Sequence, residues 1–162
     1  MPMLPSEQEI HAAGLGDIAA RLDRGERLSA ADAERLWSTP ALHAVRALAD
    51  RMRRRLHGDR LRVVRAVGAA GLTAVDAAQP LPAALLALRG RAHPALLVHD
   101  PGRQRTALEL LRAFACARLL CDDVPHVCAS ALELGPNLVQ IATGYGVDQI
   151  LEPLPAQKEV AA

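Results

Sequence analysis

The segment from Ala107 to Leu120 carries apolar residues around its whole circumference, and only Glu109, Arg112 and Arg118 are charged within it. A helix at a protein surface has one apolar stripe, so a helix with this pattern must be covered on more than one side. Thr106 and Glu109 have the spacing of a capping box, which predicts that the helix starts there. The sequence therefore predicts a buried helix at the centre of the fold.

Short apolar runs that suit the inner strands of a parallel sheet lie on both sides of this helix. Four candidate strands follow residue 60: Leu61–Val67, Ala95–His99, His126–Leu132 and Val147–Leu151. Helical segments are predicted from about Pro82 and from Pro136, with each proline near the first helical position. Alternating strands and helices predict parallel pairing through helical crossovers.

The predicted fold class is α/β, with an N-terminal helical block followed by a truncated β/α partial barrel of about four parallel strands. The helical block takes residues 1–60 and the barrel-like segment takes residues 61–162, packed together as one compact unit. Three helices are predicted in the block, and Ser29 with Asp32 caps the second of them. A complete β/α barrel takes ~250 residues, so several β/α units must be missing from this chain.

Composition limits the classes of function. The formal net charge is +1, which gives no support for binding nucleic acid or a membrane through charge alone. No apolar run approaches the ~20 residues of a membrane-spanning helix. The first residues lack the basic and apolar regions of a secretory signal. We therefore expect a cytoplasmic protein that binds neither nucleic acid nor membranes.

A run of arginines crosses the boundary between the two segments. Its members are Arg51, Arg53, Arg54, Arg55, Arg60, Arg62 and Arg65. Nucleic-acid binding would normally add aromatic side chains for stacking, and aromatic residues make up only 2% of the chain. The amphipathic pattern favours a solvated face, with the arginine stems lying over apolar surface.

Two groups of residues are candidate ligand sites. His99 and Asp100 end a candidate strand, where parallel α/β folds place ligand-binding groups; the alternative is a simple turn at the following Pro-Gly pair. His126 would contribute to the same pocket. The loop Gly68–Gly71 follows another candidate strand and offers either a phosphate cradle or a tight turn.

Metal binding is the weaker hypothesis for the cysteine-containing segment. His126 and Cys128 alternate onto one face of a strand and would supply two ligands. Zinc sites usually have four ligands at paired short spacings, and no second pair is present. We therefore expect no metal site, with Cys128 as a buried thiol and His126 as a hydrogen-bonded histidine. With three cysteines in all, a disulfide scaffold is not indicated.

Two blocks of the sequence resemble the radical SAM enzymes of the futalosine route to menaquinone, of the aminofutalosine synthase and dehypoxanthine futalosine cyclase type. The matching elements in the C-terminal block are Ala117–Leu119, Pro125–Val127, Leu134–Pro136, Gln140 and Gly146–Asp148. Those in the N-terminal block are Gly25–Ser29, Ala49-Asp50 and His57–Asp59. Together the blocks cover roughly 90 residues of the chain, in the order that the family has.

The resemblance fails at the residues that carry the family's chemistry. In those enzymes the first barrel strand runs into a C-x3-C-x2-C loop that holds a 4Fe–4S cluster. Here Gly68–Ala74 follows the candidate strand without a cysteine. The resemblance therefore implies that the cluster and S-adenosylmethionine have been lost as cofactors, together with the radical reaction.

Two functions follow as expectations. The first is a non-catalytic radical SAM-like paralogue, acting as an accessory protein of menaquinone biosynthesis. The second is a small-molecule, nucleoside-type binding protein or an enzyme with cluster-independent chemistry, with His99, Asp100 and His126 around its pocket. A sheet of four strands has open edges, so we also expect a homo-oligomer or a partner protein that covers them.

Overall fold

The computed structural model describes residues 5–65 and 71–152. Within these ranges the chain forms seven helices and five strands. The helices are α1 (Pro5–Ala12), α2 (Gly16–Asp23), α3 (Ala30–Ser38), α4 (Leu42–His57), α5 (Leu81–Ala87), α6 (Ala107–Leu120) and α7 (Ala131–Thr143). The strands are β1 (Arg62–Arg65), β2 (Leu72–Asp76), β3 (Ala95–His99), β4 (His126–Ser130) and β5 (Gln149–Glu152). The predicted order, a helical block followed by β/α units, is confirmed.

The strands form one parallel sheet in the order β1-β5-β4-β3-β2. From β2 to β5 each strand lies beside its successor, and β1 lies beside β5. The last strand of a closed β/α barrel likewise lies beside the first, so this is the order of a partial barrel. A cavity of about 180 Å³ touches every strand, from Arg62 on β1 to Leu72 on β2. The sheet must therefore curve around it.

Strand β2 is a fifth strand that the sequence pattern did not predict. It pairs along its whole length with β3, from Leu72 opposite Ala95 to Asp76 opposite His99. Its five residues, Leu-Thr-Ala-Val-Asp, follow a glycine loop and form too short a pattern to predict a strand, so pairing decides their conformation. Of the predicted strand Leu61–Val67, residues 62–65 form β1, whereas residues 66–67 and the glycine loop at 68–70 lie outside the described residues.

Helix α6 lies at the centre, as predicted. The Thr106 Oγ1 accepts a hydrogen bond from the Glu109 backbone N–H at 3.2 Å, and the Glu109 Oε2 accepts one from the Thr106 N–H at 2.7 Å. Ten of the fourteen residues of α6 are buried. The helix contacts α3, α4 and α5 as well as β3 and β4, so it is covered on more than one side.

The helical block packs directly on the β/α units. Helix α4 runs along α6, and buried residues such as Leu48 of α4 and Phe114 of α6 belong to one hydrophobic cluster. This packing brings the C-terminal end of α4 to the sheet. No helix in the described residues has the length and apolar content to cross a membrane.

Strand β4 is two residues shorter than the predicted strand His126–Leu132. The strand ends at Ser130, because the Ser130 Oγ accepts a hydrogen bond from the Glu133 N–H at 3.3 Å and caps α7. Gly135 then adopts a φ of 79° and interrupts the helix before Pro136. The helix predicted to start at Pro136 is therefore the second half of α7.

Candidate functional site

The Asp148 carboxylate lies buried where β4 and β5 begin. Asp148 directly precedes β5, and its side chain is 3% exposed. Its Oδ1 accepts hydrogen bonds from the Val127 N–H at 2.8 Å and from Arg118 Nη2 at 2.5 Å. A charge taken out of water needs such partners, so Asp148 is fixed in position and its charge is neutralised.

Arg118 is the partner that α6 supplies. Its side chain is 1% exposed, and its remaining donors bond the Gly146 carbonyl at 2.8 Å and the Pro125 carbonyl at 3.0 Å. Burial lowers the pKa of the Arg118 guanidinium, and the neighbouring Asp148 carboxylate opposes that shift. Gly146 has a φ of 98°, and a Cβ there would lie 2.7 Å from the Arg118 Cβ. The turn before β5 is therefore shaped around this arginine.

Two histidines face the other oxygen of Asp148. The His126 Nδ1 lies 2.6 Å from Asp148 Oδ2, and the His57 Nε2 lies 3.5 Å from the same oxygen. His57 Nε2 also lies 2.5 Å from the Pro125 carbonyl oxygen, which can only accept, so this nitrogen carries a proton. The two imidazole rings stack with their centroids 5.0 Å apart. His57 comes from the end of α4 and His126 from the start of β4.

A cavity of about 430 Å³ opens beside the two rings. Its lining consists of His57, Arg60, Leu61, Arg62, His126 and Asp148. The 180 Å³ cavity inside the curved sheet shares Arg62 and His126 with it. Both cavities therefore lie at the edge of the sheet where the strands begin.

The structure divides the arginine run into two parts. Arg51, Arg53, Arg54 and Arg55 of α4 all form ion pairs, with Asp23, Asp50 or Asp59. In residues 5–65 and 71–152 no carboxylate pairs with Arg60 or Arg62. Within the part of the chain that the structure describes, the positive charge of these two exposed arginines therefore has no ion-pair partner beside the cavity.

One nitrogen from each histidine and one oxygen of Asp148 lie within 4.8 Å of one another. Among the described residues, this is the group of three whose donor atoms suit a metal ion. It differs from the weak candidate pair His126 and Cys128. The Cys128 Sγ instead donates to Gln149 Oε1 at 3.1 Å, and burial raises the pKa of its thiol to about 12.

The cysteines are all inside the protein. Burial raises the pKa of Cys116 and Cys121 to about 12 as well, so the three thiols carry their protons at neutral pH. Cys121 donates to the Leu85 carbonyl. The three cysteines do not gather into a metal-ligating group in the described part of the chain.

The structure does not bring the predicted site residues His99, Asp100 and His126 together. Ala95 pairs with His126, so His99 lies four residues farther along the sheet, about 13 Å at the usual rise per strand residue. His99 and Asp100 are at the edge where the strands end. Asp100 Oδ1 accepts a hydrogen bond from the Gln104 N–H, and its Oδ2 accepts one from the Arg105 N–H. The carboxylate therefore stabilises the loop that follows it.

Sequence reasoning missed His57, Arg118 and Asp148 as parts of a site. His57 and Asp148 are 91 positions apart, and only the packing of α4 on the barrel segment joins them. The sequence contained one indication of the site, because Arg118 is a charged residue within a helix that is predicted to be buried. A buried arginine requires a carboxylate partner, although the sequence does not say which one.

No protein-family model and no curated protein sequence matches this chain. The fold and the site define an α/β protein of partial-barrel order, with a His-His-Asp cluster at the edge where its strands begin. The resemblance to radical SAM enzymes stays a prediction.

Proposed function

We propose that this protein binds a small anionic molecule in the cavity beside His57 and His126. The observation that supports this most is the pair of arginines, Arg60 and Arg62, that line the cavity without a carboxylate partner in the described residues. A guanidinium presents paired N–H donors that match carboxylate and phosphate oxygens. The ligand class is therefore a phosphorylated or carboxylated metabolite.

The charge balance of the cavity supports an anion. Among the described residues that line the cavity, Asp148 is the one acidic group, and its partner Arg118 already compensates its charge. The two imidazoles add N–H and nitrogen acceptor groups, and Leu61 adds an apolar wall. A volume of about 430 Å³ falls in the range of pockets that hold small molecules.

Titration calorimetry tests this function with two matched ligands, adenosine monophosphate and adenosine, which differ by the phosphate alone. The monophosphate is expected to bind and to raise the melting temperature, and adenosine to do so weakly or not at all. Arg60→Gln and Arg62→Gln should each weaken binding of the monophosphate roughly tenfold. Arg103→Gln is the matched control. Arg103 is also exposed, but it lies in the loop after the C-terminal end of β3, away from the cavity.

Three results would contradict the proposal. One is equal affinity for adenosine and its monophosphate, because the phosphate would then add nothing. Another is unchanged affinity in both cavity variants. The third is an equal loss of affinity in Arg103→Gln, which would indicate attraction by the total charge of the chain.

A second candidate function is that of an accessory protein that associates through an open edge of the sheet. Strand β1 pairs with β5 on one side, and next to its other side the structure describes no strand within residues 5–65 and 71–152. Leu61 and Val63 at this edge are 47% and 53% exposed. Exposed edges invite pairing with a second chain. Sedimentation that finds a strict monomer at high concentration would contradict this function.

The link to menaquinone biosynthesis and the loss of radical SAM chemistry are proposals that depend on the sequence resemblance. The cytoplasmic location is likewise a proposal. Co-purification from the native cell tests the pathway link directly, because a true partner would be an enzyme of that pathway. Recovery of unrelated proteins alone would count against it.

A further inference from the structure

We propose that His57, His126 and Asp148 form a binding site for a divalent transition-metal ion of the zinc, cobalt or nickel class. The three residues come from the end of α4, the start of β4 and the turn before β5. Their donor atoms nevertheless lie within 4.8 Å of one another. The proposal does not require an anionic ligand in the cavity.

The donor set determines the class of metal. Two imidazole nitrogens and one carboxylate oxygen are the set that zinc and its neighbours accept in open sites, where water fills the fourth position. Calcium and magnesium prefer oxygen ligands throughout, so this set selects against them. The buried cysteines take no part, because the group of convergent donor atoms in the described residues contains none of them.

Asp148 is oriented as a ligand in a metal site would be. Its Oδ1 is held by the Val127 N–H and by Arg118, which leaves Oδ2 directed at the two imidazoles. Outer hydrogen bonds of this kind fix the position of a ligating carboxylate and are a regular part of metal sites. With its side chain 3% exposed, Asp148 has little freedom to turn away.

The site also has a path from solvent and room for a further ligand. The side chains of His57 and His126 are 18% and 26% exposed, and both line the 430 Å³ cavity. An ion therefore reaches all three donors from the cavity side. The open position faces the same cavity.

Metal binding requires local adjustments at both histidines. Ligand atoms around a tetrahedral zinc ion lie about 3.4 Å apart, given bonds of about 2.1 Å. The 3.5 Å between His57 Nε2 and Asp148 Oδ2 already fits, whereas the 2.6 Å between His126 Nδ1 and the same oxygen must open. Both nitrogens also lose the protons that they now donate, so His57 Nε2 must move away from the Pro125 carbonyl oxygen, which lies 2.5 Å from it. The nearby positive charge of Arg118 makes the site weaker than one without a cation beside it.

Cobalt spectroscopy on the untagged, full-length chain tests the proposal. The chain is treated with a chelator, freed of it, and titrated with cobalt chloride and then with zinc chloride. The expected result is one ion per chain, with the visible ligand-field absorption of cobalt bound by nitrogen and oxygen. His57→Gln and His126→Gln should each lower the affinity at least tenfold.

The control variant is His43→Gln, because His43 is an exposed histidine on the same helix as His57. It should bind cobalt like the wild type, and circular dichroism should show that all three variants remain folded. Arg60→Gln and Arg62→Gln should keep full metal binding, so failure of the anion site and failure of the metal site are separate results.

Three outcomes would overturn the metal site. One is unchanged affinity in both histidine variants. Another is a sulfur-to-cobalt charge-transfer band, which would assign the ion to the cysteines. The third is no binding by the folded wild-type chain, which would show that the His-His-Asp cluster is a hydrogen-bond network alone.

Discussion

Arg118 and Asp148 form an ion pair of 2.5 Å in which the two side chains are only 1% and 3% exposed. The two histidines of the candidate site face the carboxylate of this pair. The guanidinium joins α6 to the turns before β4 and β5 through the carbonyls of Pro125 and Gly146. The carboxylate joins those strands to both histidines. The pair thus couples the central helix to the site.

Replacing Arg118 with Met should destabilise the fold by about 3–5 kcal/mol, because it leaves the Asp148 charge buried without a partner. Urea unfolding measures this change. Arg54→Met is the control, since Arg54 is 57% exposed in its pairs with Asp50 and Asp59, and it should cost far less stability than Arg118→Met. Equal losses in the two variants would show that the buried pair contributes no more than a surface pair.

Gly146→Ala should be more destabilising than Gly90→Ala, by about 1–3 kcal/mol. Both glycines have a positive φ, of 98° at Gly146 and 77° at Gly90, so an added Cβ strains the backbone in both variants. Only at Gly146 does the new Cβ meet a neighbour, at 2.7 Å from the Arg118 Cβ, whereas nothing lies within 4 Å at Gly90. Chemical denaturation of the two variants measures the difference. A larger loss at Gly90 would contradict this packing.

Asp17 should add stability that disappears in acid. Its hydrogen bonds with Arg35 lower the pKa of its carboxyl from 3.8 to about 2. A lowered folded-state pKa contributes stability above the unfolded value, and this contribution is lost as the pH falls from 3.8 to about 2. At pH 6 the free energy of unfolding of the wild type should exceed that of Asp17→Asn by less than about 1 kcal/mol, because the ion pair of Asp17 with Arg35 is half exposed.

Denaturation of the two proteins over this pH range measures the effect. The stabilities should converge as the pH approaches 2. A gap that stays constant down to that pH would show that Asp17 stabilises the fold by something other than its charge.

The three cysteines should not react with a thiol reagent in the folded protein. Cys116, Cys121 and Cys128 are at most 1% exposed, and burial raises their pKa values to about 12. A colorimetric thiol assay should therefore show full reaction only in denaturant, with a native rate set by unfolding. Rapid native labelling of any one thiol would contradict the burial of that cysteine.

Local and periodic features of the fold could be predicted from the sequence. The capping box of Thr106 and Glu109 depends on neighbours three residues apart, and the burial of α6 follows from its apolar faces. Strand β2 was missed because its five residues become a strand by pairing with β3, and the sequence pattern does not record that contact.

The candidate site could be predicted only in fragments. His126 was identified as a ligand candidate, but was grouped with His99 and Asp100, which lie at the other edge of the sheet. In parallel strands the beginnings meet at one edge and the ends at the other, so a residue that starts a strand meets other residues that start strands. His57 reaches that edge because α4 packs on α6, a long-range contact without a periodic signal.

The amide NMR spectrum of the isotope-labelled chain, titrated with adenosine monophosphate, tests the location of the site most directly. Binding in the proposed cavity should shift the resonances of its lining residues, which are His57, Arg60, Leu61, Arg62, His126 and Asp148. The resonances of residues 99–105, at the opposite edge of the sheet, should stay in place. Shifts confined to residues 99–105, or none at a saturating ligand concentration, would contradict a binding site where the strands begin.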